Sequence, residues 1–235
     1  MKIFQAVTAF GLLVMASSAS AQETKLSDFP FWQKMSGWWA SENTYFTADM
    51  DYTVRSYNSL VTIELDGTKF RESEHRFYPA GIATTRYGKG LMAEGEGIEL
   101  VVVTTGELMD DKGTLGNIKT DHAGAPEDPS VVYSILSDND GVRLKPNPET
   151  GVDTYRMYFN FTTPNHRFRQ NFGIIYDEED DVGGLRAFIL YRDKRIERSD
   201  FKAKRAEFIA RHNVKVLSVA DPDKPGQSLV TRLEE

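Results

Sequence analysis

Three charged residues spaced by two, Glu72, Glu74 and Arg76, are the part of this sequence best suited to chemistry. Phe70 and Tyr78 bracket them at the same spacing. Residues two apart share a face of an extended strand. One face of the run Lys69–Tyr78 therefore opens on Phe, closes on Tyr and carries two carboxylates and a guanidinium between. The terminal aromatics mark that face as the inward one. A buried carboxylate is costly unless it is paired or used. A Glu beside an Arg stays ionised, whereas a Glu in apolar surroundings has a raised pKa and can exchange protons near neutrality. The chemistry within reach is general acid–base catalysis, with Glu72 and Glu74 as acid or base and Arg76 as charge stabiliser. If the parity were reversed, His75 on the opposite face would be the acid or base instead. The non-catalytic alternative is a strand at an open, wet barrel end, or a bulge that turns the charges outward.

Other chemistries lack their residues. The chain has no Cys, which excludes disulfides, thiolate nucleophiles, Cys-ligated zinc and iron–sulfur clusters. His122 follows Asp121, but two such residues fall short of a metal site's three or four ligands. His166 belongs to a Pro-Asn turn, and His212 falls near a helix end. The acidic run Asp177–Asp181 lacks the spacing and glycine of an EF-hand and reads as a solvated hairpin tip. No Walker, dinucleotide-binding or Gly-x-Ser-x-Gly pattern occurs. Neither a metal nor a cofactor is expected. A net charge of −7 argues against a nucleic-acid partner, which would need a basic stripe.

The elements that must hold these residues are strands. Candidates are Trp38–Phe46, Val54–Leu65, Lys69–Tyr78, Ala83–Tyr87, Ile98–Thr105, Val131–Ser137, Asp153–Thr163, Arg167–Tyr176 and Leu185–Arg192, with Val214–Val219 as a further one. Asp66-Gly67 is a two-residue hairpin signal. The Gly- and Pro-bearing stretches 106–130 and 138–151 read as long loops. Strands joined by short turns give an antiparallel meander, and closure into a barrel of about eight to ten strands removes its exposed edges. Ser27-Asp28-Phe29-Pro30 predicts a short helical turn to Met35 ended by Gly37, and Ser199 predicts a capped helix to about residue 212. Residues 1–21 have the basic start, apolar stretch and Ala19-Ser20-Ala21 end of a secretory signal peptide. The expectation is a periplasmic or secreted chain, with 22–235 as a single all-β domain stabilised by packing alone and no membrane span.

Phe31-Trp32-Gln33-Lys34-Met35-Ser36-Gly37-Trp38-Trp39 resembles the start of the calycins, the lipocalin, fatty-acid-binding and nitrobindin-like barrels. The shared pattern is a helical turn, then Gly-x-Trp, then the first strand. The resemblance implies that the Trp plugs the closed end of the barrel and that an Arg near the last strand, Arg192 or Arg195, packs across it. After Trp39 the chain reads Ala40-Ser41-Glu42-Asn43, unlike the Gly-x-Gly continuation of nitrobindin-like proteins, which speaks against a haem site.

Alternation assigns the lumen. The inward sets are Trp39, Ser41, Asn43 and Tyr45; Tyr155, Met157, Phe159 and Phe161; and Phe168, Gln170, Phe172, Ile174 and Tyr176. With 11% aromatic residues, such a lumen suits a small hydrophobic or aromatic molecule. Trp39, Asn43, Tyr45, Tyr155, Phe159, Gln170, Phe172 and Tyr191 are its expected contacts. The first expectation is thus a binding protein. The alternatives are a cofactor-independent isomerase or lyase on the same barrel and an envelope-associated structural protein.

Overall fold

The computed structural model describes residues 24–47, 54–80, 93–121, 131–146, 153–177, 182–220 and 228–233. The expected signal peptide, the strand Ala83–Tyr87, His122 and residues 178–181 of the acidic run lie outside them.

Most strands form where alternation predicts one, and their neighbours fix the register. In chain order the strands are β1 (Gly37–Thr47), β2 (Val54–Asp66), β3 (Lys69–Tyr78), β4 (Gly97–Leu108), β5 (Leu115–Asp121), β6 (Val132–Ile135), β7 (Asp140–Pro146), β8 (Asp153–Thr163), β9 (His166–Asp177) and β10 (Val182–Ile196), followed by β11 (Val214–Ala220) and β12 (Ser228–Arg232). Strands β1 to β10 pair antiparallel in sequence, and β1 pairs with β10, so the meander closes as a ten-stranded barrel. Gly67 turns the β2–β3 hairpin at φ +59°.

Three features depart from the sequence reading. The stretches 106–130 and 138–151 are not loops throughout, because they contain β5 and β7. In β7 the inward positions are Gly141 and Arg143, so no apolar alternation announces the strand. Gly141 is packed against the Phe31 ring, leaving no space for a side chain. Strand β4 also serves two neighbours. Its Val103–Leu108 half pairs with β5, and its Gly97–Val101 half pairs in parallel with β11, which carries β12 outward.

The closed end is plugged by the segment before β1. A 3-10 turn, Leu26–Asp28, leads into helix α1 (Pro30–Met35), with Pro30 in the first helical turn where its missing N–H costs nothing. Leu26, Phe31, Trp32 and Met35 are fully buried against Phe70, Leu115, Tyr133 and Phe161. Burying each such side chain contributes about 1.5–3 kcal/mol. Hydrogen bonds set the plug's orientation. Leu26 N donates to Gly67 O (2.9 Å), Trp32 Nε1 to Gly113 O (2.8 Å) and Trp39 Nε1 to Met35 O (3.0 Å).

Gly37 makes the turn into β1 at φ +110°, and a Cβ there would stand 2.5 Å from Arg195 Nη1. That crowding reflects a clamp. Arg195 donates to Ser36 O (2.8 Å) and Lys34 O (2.6 Å) and lies 4.3 Å above the Trp39 ring. Arg195, not the exposed Arg192, therefore occupies the position expected of the Arg that packs across the Trp. Closed meander, N-terminal plug, Gly-x-Trp and crossing Arg together make this a calycin-like barrel.

Helix α2 (Phe201–Arg211) lies outside the barrel. Ser199 does not cap it; it sits within a 3-10 turn, Arg198–Asp200, and Asp200 takes the cap position without a side-chain bond. Phe208 packs on Leu60 and Phe77, the outward residues of β2 and β3.

Candidate functional site

The lumen above the plug is polar and charged. Trp39 forms its floor, with Arg167 stacked 4.4 Å and Arg195 4.3 Å from the ring. The inward face of β3 is the one predicted: Phe70, Glu72 and Glu74 are buried and Arg76 half-buried. The inward face of β1 is also as predicted, with Trp39, Ser41 and Asn43 buried.

The face of β9 is the reverse of the expected one. Arg167 and Arg169 are 1% exposed, Phe168 is 38% exposed and Gln170 is exposed. Gln170 therefore does not face the lumen. Neither does Phe172, which joins an outer aromatic row with Phe188 (ring centroids 5.0 Å apart) and Tyr158 (6.2 Å). Phe159 and Tyr191 are buried inside, and Tyr45 is half-buried against the core. The side chain of Tyr155 lies outside the described residues.

One connected ion network crosses the lumen. Arg76 Nε donates to Glu74 Oε2 (2.7 Å), and Arg169 Nη2 to Glu74 Oε1 (3.2 Å). Arg169 Nε and Arg167 Nε both donate to Asp193 Oδ2, at 2.7 and 2.6 Å. Ser59 Oγ donates to Glu74 Oε1 (3.1 Å), and Asn43 Nδ2 donates to Ser59 Oγ (3.0 Å). These contacts decide the protonation of Glu74. Burial pushes its pKa up, but Arg76 and Arg169 outweigh that and hold it at about 2. Asp193 is likewise buried, and Arg169 and Arg167 hold its carboxyl below the usual range.

Glu72 has the opposite fate. It is 6% exposed, its Oε2 has no hydrogen-bond partner, and burial raises its pKa despite Arg169 and Arg167 nearby. Tyr57 OH and Arg167 Nη2, on residues 2% and 1% exposed, are also without partners. The candidate acid–base pair is thus split. Glu74 is committed to two guanidinium groups, whereas Glu72, whose pKa burial raises, has its Oε2 bonded to none. Alternation alone could have found Asp193, two residues beyond Tyr191. Tyr57, Arg167 and Arg169 carry no such signal, because apolar alternation marks only an apolar interior.

His75 lies on the outer face. Its Nδ1 is 2.7 Å from Glu99 Oε1, and its ring meets Phe201 of α2 at 5.3 Å. Glu99, fully buried under the helix, also accepts Arg205 Nε (2.9 Å) and Nη2 (2.6 Å). Burial raises the Glu99 pKa, but hydrogen bonds from His75 and Arg205 leave it lowered. This cluster fastens α2 to the wall. His212 bonds Asn58 Oδ1 (2.8 Å), and burial with Arg211 beside it lowers its pKa, against the pull of the helix C-terminus toward imidazolium.

Among the described residues no group of His, Asp and Glu has the makings of a metal site, and no helix is long and apolar enough to cross a membrane. Among the described residues three clefts lie on the outside, the smallest of about 290 Å³ beside Trp38, His75 and Phe201. One of about 790 Å³ is lined by Glu64, Lys69, Arg71 and Lys119, and one of about 600 Å³ runs between α2 and the β1–β10–β9 face past Phe168 and Arg192.

No protein-family model matches the chain, and no curated protein matches it. Among solved structures it is similar to the S-type phycobiliprotein lyase CPES from Guillardia theta, at 16% identity over 74% of this chain and 94% of that one, with a TM-score of 0.36.

Proposed function

We propose that this barrel binds a small aromatic molecule in its lumen and that the chain is exported to the periplasm or secreted. The export reading rests on the N-terminal pattern Lys2 to Ala21. The binding reading rests on one observation: a buried lumen in which Tyr57 OH, Glu72 Oε2 and Arg167 Nη2 all lack partners. Buried polar groups are normally bonded, and unbonded ones inside an aromatic-walled barrel fit a ligand site. The Tyr57 ring lies tilted beside Tyr78 (4.6 Å) and meets Tyr191 edge-on (6.5 Å), which sets aromatic rings around Tyr57.

Tyr57→Phe tests the reading because it removes only an unpartnered hydroxyl. Prodan, a neutral fluorescent naphthyl ketone, is the probe. Wild-type protein should bind it with a blue-shifted emission. Tyr57→Phe should keep or slightly raise the unfolding midpoint and weaken binding about 5- to 30-fold, the worth of one hydrogen bond to a buried polar group. Unchanged affinity with unchanged stability would contradict a ligand at Tyr57. Acid–base catalysis on the same barrel remains a second reading, and it rests on Glu72 as the proton-carrying residue, with Glu74 as a fixed counter-charge.

A further inference from the structure

Strands β3 and β9 face each other across the lumen at two levels, and only one level is closed. At the upper level Arg169 Nη2 reaches Glu74 Oε1 at 3.2 Å. Two residues nearer the plug on each strand, Glu72 and Arg167 repeat the same pairing of types on the same inward faces. Here no bond forms. Glu72 Oε2 and Arg167 Nη2 are both buried and both without partners. Arg167 cannot swing freely to close the gap. Its Nε is held by Asp193 (2.6 Å), its Nη1 points to Met35 Sδ (3.1 Å), and its plane lies on Trp39.

The charges around this level balance only while Glu72 is ionised. The groups facing Glu72 are Arg167 and Arg169 on β9, Arg143 on β7 and Glu74 on its own strand, with Asp193 of β10 behind the arginines. Thr104 on β4 and Ile63 on β2 are its uncharged cross-strand neighbours. Arg76, Arg167 and Arg169 stand against Glu72, Glu74 and Asp193, so a proton taken up by Glu72 leaves room for one anionic charge among these groups. An anion with oxygen acceptors that enters together with that proton keeps the guanidinium groups matched.

We propose that the Glu72–Arg167 level receives the carboxylate of an aromatic carboxylic acid, with Glu72 in its acid form donating one hydrogen bond to it and Arg167 Nη2 donating another. The inference rests on the binding reading above and names the ligand class. One contact satisfies both orphaned atoms. It also couples binding to a proton. The bound anion stabilises the protonated Glu72, so between the free and bound pKa values of this residue binding takes up one proton and tightens as pH falls.

The experiment compares naphthoate with its neutral methyl ester, by calorimetry on the ligand-free protein from pH 5.5 to 8 in two buffers of different ionisation enthalpy. The expected result is preference for naphthoate, uptake of close to one proton, and affinity that rises up to about tenfold per pH unit lowered within the window. Glu72→Gln, which keeps the shape and a hydrogen-bond donor, should retain naphthoate binding and lose both the proton uptake and the pH dependence. Equal binding of acid and ester, no proton uptake, or uptake unchanged in Glu72→Gln would overturn the inference. Ester binding with no naphthoate binding would overturn it and leave the binding reading standing. Failure of both compounds to bind would remove both.

Discussion

Arg169→Met is expected to destabilise the barrel by about 3–5 kcal/mol, because it removes one partner from buried charges that keep their cost. Arg169 is 1% exposed and donates to both Glu74 and Asp193, so it joins the Arg76–Glu74 pair to the Asp193–Arg167 pair. A urea midpoint that falls at constant slope is the expected signature. The acid limb should change with it. The Glu74 carboxyl sits at about 2 in the folded chain against an ordinary 4.5. Its contribution is therefore complete above pH 4.5 and is lost as pH falls toward 2, where the folded form also takes the proton. Without Arg169 the folded value moves up toward the ordinary one, and the stability lost across that window shrinks. Glu72 works in the other direction. Its folded pKa is raised, so what it contributes is present at low pH and is lost as pH rises through the folded value. A loss under about 1 kcal/mol for Arg169→Met would mean that water replaces the bridge.

Trp39→Ala should cost a similar amount, about 3–5 kcal/mol, for a different reason. Trp39 is fully buried and supports the plug on one side and the ion network on the other. Its ring lies against both Arg167 and Arg195, so its removal leaves a cavity and takes the cation–π contact from two guanidinium groups. Arg195 ties the last barrel strand to Lys34 O and Ser36 O, and loosening it should free α1 before the rest of the barrel. Trp39→Ala should therefore show early proteolytic cleavage between residues 24 and 36, at denaturant concentrations where the sheet is intact. Trp39→Phe should retain part of the stability. Global unfolding with no early cleavage would show that plug and barrel open as one unit.

The parts of this account that were legible in the sequence are those where an apolar residue marks the inside. On β3, Phe70 and Tyr78 set the parity, and Glu72, Glu74 and Arg76 follow inward with them. The same rule inverted β9. Phe168 and Phe172 looked like the buried face, but the lumen at that depth is ionic and takes Arg167 and Arg169 instead. Phe168 is exposed and Phe172 belongs to an outer row with Phe188 and Tyr158, so part of the aromatic content that pointed to the lumen covers the outside of the wall. Strand β7 escaped because glycine and charge occupy its inward positions, and β5 because an irregularity at Asn117, φ +50°, sets its core residues Leu115 and Ile118 three apart instead of two. The parallel pairing of β11 with β4 depends on a strand that splits between two partners, and no local pattern encodes that. Register is set across the sheet: Tyr191 stands opposite both Asn43 and Arg169, which turns three distant residues toward one point.

The central claim is that a small aromatic molecule occupies the lumen and not one of the outer clefts. The most direct measurement is NMR of protein with carbon-labelled aromatic side chains, titrated with prodan. Ring signals of Tyr57, Tyr78 and Tyr191 should shift and saturate together at one equivalent, while those of Phe168 and Phe201, which border the outer clefts, stay in place. Saturating shifts at Phe168 or Phe201 with the three lumen tyrosines unmoved would place the ligand outside the barrel and contradict the account.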